Sequence, residues 1–188
     1  MNSNLPNGLR VLNASVREAF GRVVYSHKTH EKAREIESRR AAAIKWINIV
    51  LTSLTSGGLL ATILSSVHVW LYVTSVLSAL NLAFVIFQLS FDPAGSALQH
   101  RITAKELWYV REKYANLLTD IQRGLSEDAI VVRRDALAKE LNDIYAKAPN
   151  TLGRAYQLAR KALKIQEDMT FNAREINQFL PKELHLDE

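Results

Sequence analysis

The feature that most constrains the fold of this chain is an uncharged run. No Asp, Glu, Lys or Arg occurs from Trp46 to Phe91, and Lys45 and Asp92 bound the run. A charged side chain at the centre of a bilayer costs roughly 2.5–3.5 kcal/mol, so lipid selects for such runs. One helix through all of it would be about 70 Å long, more than twice the hydrocarbon thickness. The run therefore predicts two membrane-spanning helices.

The break between the two spans is predicted near residues 65–68. This Ser-Ser-Val-His cluster suits a membrane surface, and Trp70 and Tyr72 follow it directly. Aromatic side chains prefer the interface between lipid and water. We therefore expect the first span near Ile44–Leu64 and the second near Val69–Phe91.

The competing interpretation is a buried hairpin in a soluble helical bundle, because the mean hydropathy of the whole chain is close to neutral. Helices of a soluble core carry a charged outer face, however, and neither of these segments does. A secretory signal peptide is a poor match, since the apolar run begins far from Met1 and is too long.

The formal net charge of +5 lies entirely ahead of the first span. Nine basic and four acidic residues precede the hairpin, fifteen of each follow it, and the turn has no Lys or Arg. Because short cytoplasmic segments are rich in Lys and Arg, this asymmetry predicts that both termini are cytoplasmic. The position of the basic segment favours contact with anionic lipid head groups, and direct binding of nucleic acid is not expected.

Helical periodicity governs the remaining sequence. Apolar residues recur at three- and four-residue spacings before and after the uncharged run, and no alternating strand pattern competes. The predicted fold is all-α: a two-span transmembrane hairpin whose long helices extend into a cytoplasmic helical bundle. The predicted organisation is a basic amphipathic segment at residues 1–45, the hairpin at 46–91 and a helical domain at 92–188.

Residues that break or cap helices predict the boundaries after the hairpin. In chain order these are Asp92-Pro93 after the second span, Gly124 at the end of the next helix, Ser126 at the start of another, Ala148-Pro149 at its end, a helix at residues 151–166, and a capping box at Asn172–Glu175 before a short helix that Pro181 terminates.

Each span carries a row of polar residues at helical spacing. The rows are Asn48, Thr52, Thr55 and Thr62 in the first span, and Thr74, Ser78, Asn81 and Gln88 in the second. These rows can line a water path once several hairpins associate, or they can hydrogen-bond within one hairpin for about 0.6–2 kcal/mol each. Hydroxyl groups favour the second interpretation because they can bond their own helix backbone. For Asn81 and Gln88 both interpretations stay open.

A second row in the second span consists of small residues, namely Ser75, Ala79 and Ala83. Small side chains at four-residue spacing let membrane helices approach closely. We therefore regard this row as a candidate packing seam of a homo-oligomer.

The sequence offers little support for catalysis or for a cofactor. His27 and His30 lie one turn apart with Glu31 beside them, a spacing that can hold a metal. No third and fourth ligand can be identified, so a pair of surface histidines is the favoured interpretation. The chain has no cysteine, and the motifs of zinc proteases, serine hydrolases and P-loop enzymes are missing. We predict a protein that is not an enzyme.

Several short motifs around the hairpin occur in the order seen in a known family. They are Arg22-Val-Val-Tyr25-Ser-His27, then His100, Ala104, Leu107, Arg111, Tyr114, Leu118 and Asp120, then Arg134-Asp135-Ala-Leu137, Ile144-Tyr145-Ala-Lys-Ala148-Pro149 and Ala155-Tyr156. Together with the paired spans, they resemble the SLATT family, the SMODS- and SLOG-associating two-transmembrane effector proteins of bacteria. The resemblance covers most of the chain.

The resemblance implies a membrane effector of an antiphage or other conflict system. A partner encoded nearby, either a nucleotide-signal synthase or a reverse transcriptase, senses invasion, and the two-span protein then perturbs the bacterial inner membrane. The alternative is a membrane-anchored adaptor whose hairpin only tethers a helical docking domain. An adaptor would tolerate replacement of its spans by a generic hydrophobic hairpin, and a pore would not.

Overall fold

The structure, a computed structural model, describes residues 7–171 and 173–181. The helices within these ranges are α1 (Asn7–Leu64), α2 (Val69–Leu89), α3 (Pro93–Gln122), α4 (Glu127–Lys147), α5 (Gly153–Lys164) and α6 (Ala173–Asn177). No strand occurs among the described residues, which confirms the predicted all-α class. Asn172 of the predicted capping box lies outside the described residues.

Helix α1 joins the polar part of the chain to the membrane without interruption. At 1.5 Å per residue its 58 residues extend for about 87 Å. Ion pairs between side chains three or four residues apart stabilise its polar part. These pairs are Glu18–Arg22, Lys28–Glu31, Lys32–Glu35 and Glu37–Arg40.

The predicted hairpin is present, with one boundary shifted. Helix α1 ends at Leu64, residues 65–68 form the turn, and α2 begins at Val69, all as predicted. Helix α2 ends at Leu89, two residues before the predicted Phe91. The earlier end leaves Ser90 and Phe91 as a linker before the next helix begins.

The capping of α3 explains why the chain turns at this linker. The Asp92 carboxylate accepts a hydrogen bond of 2.8 Å from the Gly95 backbone N–H, and Pro93 occupies the first helical position. An acidic cap followed by proline is a strong signal for the start of a helix. The predicted stop at Asp92-Pro93 is therefore also the start of α3.

The apolar surface of the hairpin is exposed and not buried in protein. Only 6% of the most apolar window of each span is buried, and side chains such as Ile63 (70% exposed) and Leu64 (84% exposed) face outward. A core helix of a soluble bundle would bury such side chains against its neighbours. Helix α2, at 21 residues, is about 31 Å long, which matches the hydrocarbon thickness. The soluble-bundle interpretation is therefore wrong.

Outside the hairpin, the helices form a body with a core of its own. Helix α3 packs along α1, α4 packs on α3, and α5 packs on α1. The larger buried apolar side chains are Val16 and Val23 of α1, Leu107, Val110, Tyr114, Leu117 and Ile121 of α3, and Ile130, Leu137 and Ile144 of α4. Helix α5 contributes three fully buried alanines, Ala155, Ala159 and Ala162, whose small side chains allow it to lie close to α1.

Candidate functional site

Within the hairpin, the predicted polar rows are divided between an inner and an outer surface. Six of the eight side chains are buried or half-buried: Asn48, Thr55 and Thr62 of α1, and Thr74, Asn81 and Gln88 of α2. We call these six residues the polar seam. The other two, Thr52 and Ser78, are exposed. Helical spacing alone had grouped all eight together.

Near the turn, a pair of hydroxyl groups joins the two spans. The Thr62 hydroxyl donates to the Gly58 carbonyl at 2.9 Å, and the Thr62 and Thr74 oxygens are 3.2 Å apart. Because the Thr62 proton is used on Gly58, Thr74 is the donor between the two hydroxyls. Gly58 is buried against Thr74: a Cβ at this position would lie 2.8 Å from Thr74 Oγ1.

Further from the turn, the polar seam contains two amides that are incompletely paired. Among the described residues, Asn81 Oδ1 and Gln88 Nε2 are buried and have no hydrogen-bond partner. An unpaired buried polar group costs about 1–3 kcal/mol, and water is scarce inside a bilayer. A cleft of about 540 Å³ opens at the base of the hairpin, and Asn48, Gln88 and Lys45 line it.

The predicted small-residue row faces away from the other span. Ser75, Ala79 and Ala83 are all exposed, and the Ser75 hydroxyl donates to its own helix at the Leu71 carbonyl, 2.8 Å away. This surface is therefore available to lipid or to another hairpin.

In the body, the histidines of α1 are buried, so the prediction of a surface pair is wrong. His27 and His30 are 6% and 5% exposed. His30 forms a hydrogen bond with His100 of α3, and the two Nδ1 atoms are 2.9 Å apart. Among the described residues no group of three or more His, Cys, Asp or Glu has the arrangement of a metal site.

The histidine pair shares one proton between its two Nδ1 atoms, so one ring donates and the other accepts. Burial, together with the neighbouring His100 and His27, lowers the pKa of His30 to about 4. Burial also lowers the pKa of His100, although the Glu37 carboxylate opposes this shift. Both rings are therefore neutral near pH 7, and a second proton would force two N–H groups against each other.

Three of the short motifs that carried the family resemblance meet at one junction in the body. The Tyr145 hydroxyl donates to the Ser26 hydroxyl at 2.8 Å, and the rings of Tyr25 and Tyr156 lie 6.1 Å apart. These contacts join α1 to the end of α4 and to α5. A cavity of about 330 Å³, which Pro149 and His30 also line, separates the three helices.

A family model, the SMODS and SLOG-associating 2TM effector domain family 4, matches residues 12–175. This match includes the whole hairpin and helices α3 to α5. Neither the curated proteins nor the solved structures include a match to the chain. The chain is a membrane protein with two spans, and it belongs to the SMODS and SLOG-associating two-transmembrane effector family.

Proposed function

We propose that this protein is the membrane effector of a bacterial antiphage system and that it permeabilises the inner membrane after assembling into a homo-oligomer. In this proposal residues 46–91 form the conducting element, and residues 1–45 and 92–188 form a cytoplasmic body that receives the signal. The signal comes from a partner encoded nearby, a nucleotide-signal synthase or a reverse transcriptase. No enzymatic step by this chain is involved.

The observation that supports this proposal most directly is the pair of unpaired amide atoms in the polar seam. A hairpin that served only as an anchor would gain stability from Leu at positions 81 and 88, because buried polar groups without partners are costly in lipid. Asn81 and Gln88 instead offer hydrogen-bonding groups that water can satisfy. The cleft at the base of the hairpin is lined by Gln88 and gives water access to that amide.

A conducting path requires more than one chain, because two helices cannot enclose a lumen. The exposed row of Ser75, Ala79 and Ala83 gives neighbouring hairpins a surface for close packing. When hairpins associate through this row, the two spans of each hairpin stay free to separate. The polar seam of each hairpin can then face a central axis that the hairpins share. The body then couples a signal to that opening through α1, which continues from the body into the span.

The first prediction concerns topology. With a single Cys at His68, an impermeant thiol reagent should label intact cells, because the turn lies outside the cytoplasm. Single Cys residues at Ser3 or Glu188 should stay unlabelled until the membrane is opened. The chain has no native cysteine, so each variant reports one position. Labelling of either terminus from outside would overturn the proposed orientation, which depends on the Lys and Arg asymmetry.

The second prediction tests conduction. Replacing both Asn81 and Gln88 with Leu should leave insertion and assembly intact but make membrane depolarisation roughly tenfold slower or abolish it, because a narrow apolar constriction loses its water. Depolarisation is followed with a voltage-sensitive dye in cells that express the chain with its encoded neighbour, after phage challenge. Particle mass in detergent reports assembly of the same variants.

The matched control exchanges the two amides, Asn81→Gln with Gln88→Asn. It preserves polarity at both positions and should conduct. If the double Leu variant assembles normally and depolarises cells at the normal rate, the polar seam does not line the path. A strictly monomeric native particle, before and after challenge, would favour the membrane-anchored adaptor instead.

A further inference from the structure

A cavity of about 640 Å³ lies on the side of the body where α1 and α3 meet the segment that follows α5. This volume is within the range of small-molecule sites. Five cationic side chains and one carboxylate, Glu31, line the cavity. The cations are Lys28, Arg34, Arg101, Lys105 and Arg111. Such an excess of positive charge in a concave surface attracts an anionic ligand.

Two of these cations are already neutralised by the protein, and three are not. Lys28 contacts Glu31 at 3.0 Å and Asp168 at 3.1 Å, and Arg111 contacts Glu112 at 2.6 Å. Among the described residues, Arg34, Arg101 and Lys105 make no ion pair or side-chain hydrogen bond. Their charges are therefore available to a phosphate group.

Exposed aromatic rings lie at the same cavity. Trp108 is 48% exposed and Phe171 is 65% exposed, although both belong to the body and not to the hairpin. Trp108 follows Lys105 by three residues and Arg101 by seven, so these side chains lie along one face of α3. Aromatic rings beside cations are the usual means by which proteins hold an unpaired base and its phosphate.

The wall and the rim of the cavity carry two further signs of a binding site. In the wall, His27 is 6% exposed and its Nδ1 atom has no hydrogen-bond partner among the described residues. At the rim, Glu167 and Met169 adopt positive φ angles of 51° and 70°. Strained conformations of this kind cluster at functional sites. Contacts of Lys28 with Asp168 and of Arg111 with Met169 hold this rim in place.

We propose that this cavity binds a nucleotide. The phosphate groups lie against Arg34, Arg101 and Lys105, and a base stacks on Trp108 or Phe171. A phosphate on a lipid head group has the same chemistry, but the geometry favours a soluble ligand. Along α1, Arg34 lies about 17 Å from Lys45, which precedes the uncharged run. Along α3, Arg101 lies about 13 Å from Asp92, which follows that run. A head-group layer is only about 5–8 Å thick.

Binding at this site also suggests how a signal reaches the hairpin, and this regulatory role rests on the proposed function. A ligand in the cavity lies beside Lys28 and Arg111, the two side chains that contact the rim. The same cavity is lined by α1, which continues into the first span, so a change in its packing can be transmitted along the helix. The binding itself is independent of whether the hairpin conducts.

The test uses Trp108 as the reporter. Trp46 and Trp70 are the other two tryptophans, so Trp46→Phe with Trp70→Phe leaves a single tryptophan, at the cavity, in the full-length protein in detergent. Cyclic di-AMP is the probe, because it carries two phosphates and two purine rings. It should quench Trp108 in a saturable manner. Arg101→Glu with Lys105→Glu should weaken binding roughly 100-fold, because two charge-assisted contacts are lost.

The matched control is Arg123→Glu with Lys139→Glu, the same change of charge at exposed positions that do not line the cavity. It should bind as the unmodified reporter does. Three further ligands separate the sources of phosphate: pyrophosphate, phosphatidylglycerol vesicles and a single-stranded RNA octamer. Binding of any of these as tightly as cyclic di-AMP would overturn the proposal, and so would an absence of quenching or an unaffected charge-reversed variant. Saturable binding without depolarisation of cells would support the site and count against the proposed effector function.

Discussion

A leucine at Gly58 is expected to separate the two spans of the hairpin. A Cβ at this position would already lie 2.8 Å from Thr74 Oγ1 and 3.7 Å from Thr74 Cβ, so a larger side chain cannot fit. Thr74 cannot move aside freely, because its hydroxyl is 3.2 Å from that of Thr62. Overpacking of this kind costs about 1–3 kcal/mol. The paired hairpin should therefore become roughly 5- to 150-fold less populated relative to the separated helices.

The adjacent glycine provides the control. A Cβ on Gly57 would have no neighbour within 4 Å, so Gly57→Leu should leave the hairpin intact. Thr62→Cys with Thr74→Cys places two thiols where the hydroxyls meet, in a chain that otherwise has no cysteine. Free thiols are counted after mild oxidation in membranes. The disulfide should form readily in the native and Gly57→Leu backgrounds and poorly with Gly58→Leu. Equal yields in both leucine variants would show that Gly58 does not mediate contact between the spans.

The hairpin was predictable because its signal is local. The absence of charged residues from Trp46 to Phe91 can be recognised without knowing how the rest of the chain folds. Lipid disfavours charge in any spanning segment, so this absence alone indicates the spans. Breaks at residues 65–68 and at Asp92-Pro93 depend on nearby residues alone. The early end of α2 at Leu89 is a difference of two residues, and it arises because capping by Asp92 requires a short linker.

The contact surface of the spans was only partly predictable. Spacing along one helix shows which residues share a face, but the rotation of each helix about its axis depends on the turn and on the packing. Thr52 and Ser78 fit the predicted rows by spacing and are nevertheless exposed. Gly58 was not part of any predicted row, yet it lies against Thr74. A glycine at the centre of a span, in line with a threonine row, is the signal that could have indicated it.

The body contained features that no local pattern could indicate. His30 and His100 are separated by 70 positions in the chain, so their contact depends on how α3 packs against α1. Neither helix alone distinguishes a buried histidine from an exposed one. The same holds for the basic cavity, whose cations come from two helices that pack side by side. Their arrangement becomes visible only when the helices are brought together.

The histidine pair leads to an expected dependence of stability on pH. His30 has a pKa of about 4 in the folded protein, against about 6.5 for an unperturbed histidine in the unfolded chain. Between these two values the unfolded chain binds more protons than the folded protein. The stability contributed by neutral His30 is therefore fully present above pH 6.5 and is lost as the pH falls from 6.5 toward 4.

The magnitude follows from the shift in pKa, and the measurement is a comparison of variants. A shift of one pKa unit corresponds to about 1.4 kcal/mol, so acidification from pH 6.5 to 4 should lower the free energy of unfolding by up to about 3 kcal/mol.

His30→Gln removes the titrating group and keeps a side chain that can donate to His100. Unfolding of the full-length protein in detergent is followed by circular dichroism at pH values from 7.5 to 4.5. The native protein should lose more stability on acidification than His30→Gln, whereas His68→Gln, which changes an exposed histidine of the turn, should behave like the native protein. Carboxylates elsewhere contribute equally to all three proteins, so the difference between curves isolates the pair. If stability falls with pH equally in the native protein and in His30→Gln, the contact between His30 and His100 does not disfavour protonation.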